Sequence, residues 1–165
     1  MELIEVAKIA SEAGGKYLFR HLKDIKRVKT KNTEFDFVTK FDKGAEEIFF
    51  TILSRYYPDI PFLSEESGKV GGKDRSRFWV IDPLDGTSNY VRSIPLFSTS
   101  LALVEDKEPV LGVIYDPVRE ELFWAEKGKG AFLNGERIYV STHRDLRGVV
   151  LSTTFSYETI LREKN

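Results

Sequence analysis

The chain has no cysteine, which excludes disulfides, zinc–thiolate centres and thiol nucleophiles. Its two histidines, His21 and His143, are too few for a histidine-built metal centre. His21 falls in a helix-like segment and His143 follows a Ser-Thr pair, so both are expected at the surface. Neither sign of charge is in excess, with 25 basic against 26 acidic residues and a net charge of -1. That balance argues against a nucleic-acid or membrane surface as partner, while leaving room for a local anion site. No apolar run is long enough to span a bilayer. The first residues include Glu2 and Glu5 and lack the basic-then-apolar pattern of a signal peptide, so a cytoplasmic protein is expected. The chemistry left open uses carboxylates, hydroxyls, amides and a hard metal ion.

What is present suits one domain over residues 1–165: 41% hydrophobic and 13% aromatic residues. Residues 2–22 carry Leu3, Val6, Ala7, Ala10, Ala13, Tyr17 and Leu18 at helical spacing. Gly14-Gly15 interrupts that pattern and marks either a weak point or close packing on a neighbour. Residues 23–33 are basic and aperiodic, and read as an extended segment and loop. Thr39 to Tyr57 reads as a second helix, with Phe41, Ala45, Ile48, Phe49, Ile52, Leu53 and Tyr56 on its buried face and Pro58 as its stop. Beyond Pro61 come short apolar runs at 62–64, 78–81, 97–104, 110–115, 121–125, 131–133 and 137–140, separated by turn residues. Asn134-Gly135 is a strong hairpin signal. A last strand is expected over Val149–Ser152 and a helix over 156–164. The fold class is therefore α+β, two N-terminal helices packed on a mostly antiparallel sheet.

The most specific stretch is Trp79-Val80-Ile81-Asp82-Pro83-Leu84-Asp85-Gly86-Thr87-Ser88. A hydrophobic strand runs into two carboxylates, then a glycine and two hydroxyls. Pro83 fixes its own φ and keeps Asp82 extended, which lets Asp82 and Asp85 converge. Gly86 permits a tight turn and close approach of a ligand to the backbone. Hard oxygen anions beside amides and hydroxyls suit Mg²⁺ together with phosphate. Asp-Pro and Asp-Gly are also ordinary turn dipeptides, and an isolated acidic strand end would simply be solvated. A second apolar run ending in acids, Phe62-Leu63-Ser64-Glu65-Glu66-Ser67-Gly68, tips the balance toward one shared metal site.

Asp82-Pro83-Leu84-Asp85-Gly86-Thr87, with Glu65-Glu66-Ser67 before it, resembles the inositol monophosphatase family of Mg²⁺-dependent, lithium-sensitive phosphatases. Asp36-Phe37-Val38-Thr39-Lys40-Phe41-Asp42, Gly112-Val113-Ile114-Tyr115-Asp116-Pro117 and Gly128-Lys129-Gly130-Ala131-Phe132-Leu133-Asn134-Gly135 extend the match. The resemblance implies a sugar-phosphatase-like fold of which this is the N-terminal, metal-binding portion, the C-terminal half being absent. That half carries a further metal-binding aspartate, in a Trp-Asp motif with no counterpart here. Family members are usually homodimers, so a homodimer is the expected assembly.

By this resemblance Glu65, Asp82, Asp85 and the Leu84 carbonyl hold Mg²⁺. Glu66 orients the attacking water or acts as its base, and Thr87 shares a proton with it. Gly86, Thr87 and Ser88 meet the phosphate, though both hydroxyls also fit as plain turn residues. Lys31 corresponds to a lysine of the family's catalytic loop. Asp42 has two readings, a role beside the metal site or simple stabilisation of a helix N-terminus. The implied function is Mg²⁺-dependent hydrolysis of a small phosphorylated metabolite, with inositol monophosphate first. Fructose 1,6-bisphosphate and nucleotide phosphates such as NADP or 3′-phosphoadenosine 5′-phosphate are alternatives. So is a non-catalytic homologue acting by binding or assembly.

Overall fold

A computed structural model describes residues 1–24, 29–30, 37–38, 40–71 and 76–152. The first helix, α1, runs Leu3–His21 and ends in a 3₁₀ turn at Leu22–Asp24. The second, α2, runs Lys40–Tyr56. A short ladder of β1 (Lys29–Thr30) and β2 (Phe37–Val38) lies between them in sequence. Then come β3 (Phe62–Ser64), β4 (Gly68–Val70), β5 (Arg77–Asp85), the one-turn α3 (Thr87–Tyr90), β6 (Ser98–Glu105), β7 (Glu108–Asp116), β8 (Glu121–Glu126), β9 (Gly130–Leu133) and β10 (Glu136–Ile138). The last eight strands form one sheet in the order β10-β9-β8-β7-β6-β5-β3-β4. Every pairing in it is antiparallel except β3 with β5. The fold is α+β, as the sequence suggests.

Side-chain alternation along the strands decides which face the helices cover. Trp79 and Ile81 of β5, Leu101 and Leu103 of β6, and Leu111 and Val113 of β7 are buried with Val6, Ala7 and Ala10 of α1 and Phe49 and Leu53 of α2. Lys8 lays its ammonium 3.9 Å from the centre of the Trp124 ring, which stacks on Phe132. A second cluster joins Leu18, Phe41, Ala45, Leu84, Tyr90 and Phe97 at the end of the sheet where the acidic motif lies. The Tyr90 hydroxyl donates to the Leu18 carbonyl at 2.8 Å, tying α3 to α1.

Gly14 and Gly15 mark close packing. A Cβ on Gly14 would lie 2.8 Å from Phe49 Cε2, and one on Gly15 would lie 2.6 Å from Tyr115 Cδ1. The Asn134-Gly135 hairpin forms between β9 and β10, with both turn residues at positive φ, as a two-residue primed turn requires.

Several expectations are corrected. The strand expected over 78–81 runs from Arg77 through Pro83 to Asp85, and β4 has no apolar run to announce it. Residues 149–152 form no strand and are largely exposed. Tyr56 lies on the exposed side of α2. His21 is half-buried, its ring stacked on Phe41 with centroids 5.2 Å apart, while His143 is exposed as expected. The expected helix over 156–164 lies outside the described residues.

Candidate active site

Strand register brings the two acidic segments together. In the parallel pair, Phe62 faces Trp79, Leu63 faces Val80 and Ser64 faces Ile81. The Glu65 N–H donates to the Ile81 carbonyl at 3.1 Å, which carries the ladder one step further and sets Glu65 beside Asp82. The two side chains share a hydrogen bond, and Asp85 adds a third nearby carboxylate. Asp82 sits on the sheet face away from the helices. There Glu65, Asp82 and Ser100 line a groove of about 310 Å³ with the apolar side chains of Leu63, Val80 and Ala102.

Pro83 shapes the next step. Between β5 and β6, Asp82 pairs with Ser100 and Asp85 with Ser98, so three steps on one strand face two on the other. The extra residue is a bulge at Pro83-Leu84, where a proline costs no ladder hydrogen bond. The buried Leu84 N–H donates back to Asp82 Oδ1 at 3.1 Å, and the Thr87 hydroxyl donates to the Leu84 carbonyl at 2.9 Å. Ser98 Oγ stands 3.4 Å from Asp85 Oδ2. Gly86 has φ +89°, and a Cβ there would meet the Leu96 carbonyl oxygen at 3.0 Å. Only glycine fits that corner without strain.

The electrostatics follow from this crowding. Burial, then the charges of Glu65 and Asp85 and the hydrogen bond that protonated Asp82 donates to Glu65, push the Asp82 carboxyl up to about 7, against the opposing Leu84 N–H. The carboxylates are close enough to share a proton. Among the described residues no three acid or histidine side chains are drawn around a common point. The donor set nonetheless fits a hard divalent cation: carboxylate oxygens in mutual repulsion, with a backbone carbonyl in the adjacent bulge and no nitrogen or sulfur competing.

The remaining candidates fall around this centre. Glu66 is half-buried in the turn between β3 and β4. Ser88 is exposed in α3, its carbonyl accepting from Arg92 Nη1 at 2.8 Å. Asp42 is 2% exposed in the first turn of α2. Lys31 lies outside the described residues. Sequence reasoning missed Glu46, one turn beyond Asp42 on the same helix face and only 4% exposed. Both its carboxylate oxygens accept hydrogen bonds from Ser67, at 3.1 Å from the N–H and 2.5 Å from the hydroxyl. The available signal was a glutamate within the apolar stripe of Phe41, Ala45, Phe49 and Leu53.

Comparison with known proteins agrees with this geometry. A model of the inositol monophosphatase family matches residues 1–164. The Nus factor SuhB of Pasteurella multocida is 46% identical over 123 residues, covering 74% of this chain and 46% of that protein. The fructose-1,6-bisphosphatase/inositol-1-monophosphatase of Aquifex aeolicus is 41% identical over 150 residues, covering 89% of this chain and 56% of that protein. The chain thus spans about half the length of the curated relatives it matches. Among solved structures, the extragenic suppressor protein SuhB of Bartonella henselae superposes with a TM-score of 0.82 at 38% identity, covering 86% of this chain and 55% of that one. An IMPase/NADP phosphatase complexed with Mg²⁺ and phosphate superposes with a TM-score of 0.65 at 31% identity, covering 74% and 47%. A bulged strand ending in Asp82 and Asp85, a paired-glutamate turn in parallel register beside it and a family match over nearly its whole length agree, and the chain belongs to the inositol monophosphatase family.

Proposed function

We propose that this chain is the metal-binding portion of a Mg²⁺-dependent phosphatase of small phosphate monoesters. The observation that carries the reading is the Glu65–Asp82–Asp85 cluster, whose crowding holds the Asp82 carboxyl near 7. In this reading Glu65, Asp82, Asp85 and the Leu84 carbonyl hold Mg²⁺. When bound, the ion supplies Lewis-acid polarisation of a phosphoryl oxygen and acidifies a water. The chain's own residues do the rest. Glu66 takes or orients the proton of the attacking water, and Thr87 exchanges its present bond to the Leu84 carbonyl for one to that water. Gly86 lets the phosphate approach the backbone, flanked by the hydroxyls of Thr87 and Ser88. Asp42 and Lys31 complete the proposed catalytic set.

Inositol monophosphate heads the substrate list. The double name of the Aquifex aeolicus relative and the NADP phosphatase among the structural neighbours keep fructose 1,6-bisphosphate and nucleotide phosphates on it. The SuhB relatives carry the name of a Nus factor, which favours a second reading in which the chain acts by assembly rather than hydrolysis.

The test is a thermal shift followed by an assay. Mg²⁺ or Mn²⁺ should raise the melting temperature, because the ion binds the folded cluster and not the unfolded chain. Asp82→Asn and Asp85→Asn should abolish the rise, and an equal rise in the double variant would sink the metal site. Turnover of inositol 1-phosphate by residues 1–165 should be weak, since no Trp-Asp motif stands in them to complete a second ion site. If a longer form with that motif binds Mg²⁺ and hydrolyses none of the candidate esters, the assembly reading replaces this one.

A further inference from the structure

Glu46 poses a question that packing does not answer. It lies in the buried stripe of α2 among Phe41, Ala45, Phe49 and Leu53. Taking a carboxylate out of water is costly unless donors replace the solvent. Here one residue supplies two: the Ser67 N–H donates to Oε1 at 3.1 Å and the Ser67 hydroxyl to Oε2 at 2.5 Å. Ser67 closes a three-residue connection, because Ser64 pairs with Gly68 across β3 and β4. The other two residues of that connection are Glu65 and Glu66. A short polar turn at the edge of a sheet takes its position from the groups that hold its two ends. The sheet ladder holds Glu65 from one side through its N–H, and the Glu46 carboxylate holds Ser67 from the other.

We propose that Glu46 is a positioning residue. It clamps the Glu65–Glu66 turn to α2 through Ser67, and so sets how closely the Glu65 carboxylate stands to Asp82 and how tightly the cluster binds a divalent cation. Asp42, one helical turn earlier, is buried on the same face, so α2 presents two carboxylates toward this end of the sheet while keeping its apolar stripe in the core. The proposal rests on the metal-site reading above. Groups that orient metal ligands are worth about 10- to 100-fold in metal affinity.

Position and charge can be separated. In Glu46→Gln the amide oxygen can still accept from the Ser67 N–H, and the amide NH₂ can donate to the Ser67 oxygen. That variant loses the charge and keeps the clamp. The experiment is Mn²⁺ binding by the full 165-residue chain, read by electron paramagnetic resonance of the free ion. Glu46→Ala should weaken binding about 10- to 100-fold. Ser67→Ala, at an exposed position, should weaken it less and in the same direction. Glu46→Gln should stay within a few-fold of the parent, and the Glu46→Ala/Ser67→Ala pair should be no worse than Glu46→Ala alone. Unchanged affinity in Glu46→Ala would overturn the proposal, and so would Glu46→Gln as damaged as Glu46→Ala, which would assign the effect to charge. If Glu46→Ala does not fold, Ser67→Ala decides, and parent-like Mn²⁺ affinity there overturns the clamp. A parent chain that binds no Mn²⁺ would bring down the metal-site reading itself, an outcome distinct from all of these.

Discussion

Asp82 couples the chemistry of the site to the stability of the chain. Its folded carboxyl titrates near 7, against 3.8 for an ordinary aspartate. A group whose folded pKa is raised stabilises the fold fully below its unfolded value and loses that contribution as pH climbs through the folded value. The relevant window is therefore about pH 4 to 7. In EDTA the parent chain should lose melting temperature across this window relative to Asp82→Asn. With Mg²⁺ present the loss should shrink toward pH 8 if the proposed site holds, since an ion bound there would compete with the proton for the same oxygens. Parallel melting curves for parent and Asp82→Asn in EDTA would refute the crowded-cluster account. The residues of this cluster were largely legible from sequence. Apolar runs that end in acids are rare enough to stand out, and Pro83 and Gly86 announce an unusual strand end. Glu46 leaves only its place in the apolar stripe of α2 as a trace, because a glutamate on a helix normally points to water and its contact with Ser67 is tertiary.

At the scale of elements, the helices were clear from their periodicity and the sheet was clear in kind. The parallel pairing of β3 with β5 was not, although it is the contact that makes the site. β3 has three residues, too few for a pattern, and β4 carries Gly-Lys-Val, which has no alternation to read. Likewise, Pro83 suggested a strand end, whereas the bulge lets β5 continue to Asp85. The Gly14-Gly15 ambiguity is resolved by packing, and it yields a prediction with an unusual sign. Alanine normally stabilises a helix interior over glycine by about 1 kcal/mol. Here the new methyl groups would press on the rings of Phe49 and Tyr115 inside the core, where overpacking costs about 1–3 kcal/mol. The clash is the larger effect. Gly14→Ala and Gly15→Ala should therefore each lower the urea midpoint, and a rise in either would show that α1 can move away from the sheet.

The whole molecule has one covered sheet face and one that the described helices leave open. Read from sequence alone, the aromatic-rich runs Phe97–Leu103 and Leu122–Trp124 predict an exposed apolar patch. The structure turns Phe97, Leu101 and Leu103 inward and packs Leu122 and Trp124 against the core. Alternation then assigns the open face to their neighbours. Ala102, Gly112, Ile114, Phe123, Ala131 and Ile138 line a shallow groove of about 290 Å³ there, and Ile114 is 47% exposed. Which face is covered depends on where α1 and α2 dock, and a period of two cannot reveal that by itself. This apolar face is continuous with the carboxylate groove through Ser100 and Ala102, and exposed patches of its kind mark interfaces or aggregation liabilities. For the 165-residue chain alone, the occupant should be a second copy, joined face to face in a symmetric pair. Sedimentation at micromolar concentration should show a dimer. Ile114→Lys, which puts a charge at the centre of that face without touching the helix-side core, should shift the chain to monomer with little change in metal-induced melting shift. A parent chain that sediments as a monomer and binds no hydrophobic dye would show that the open face is stable in water as it stands.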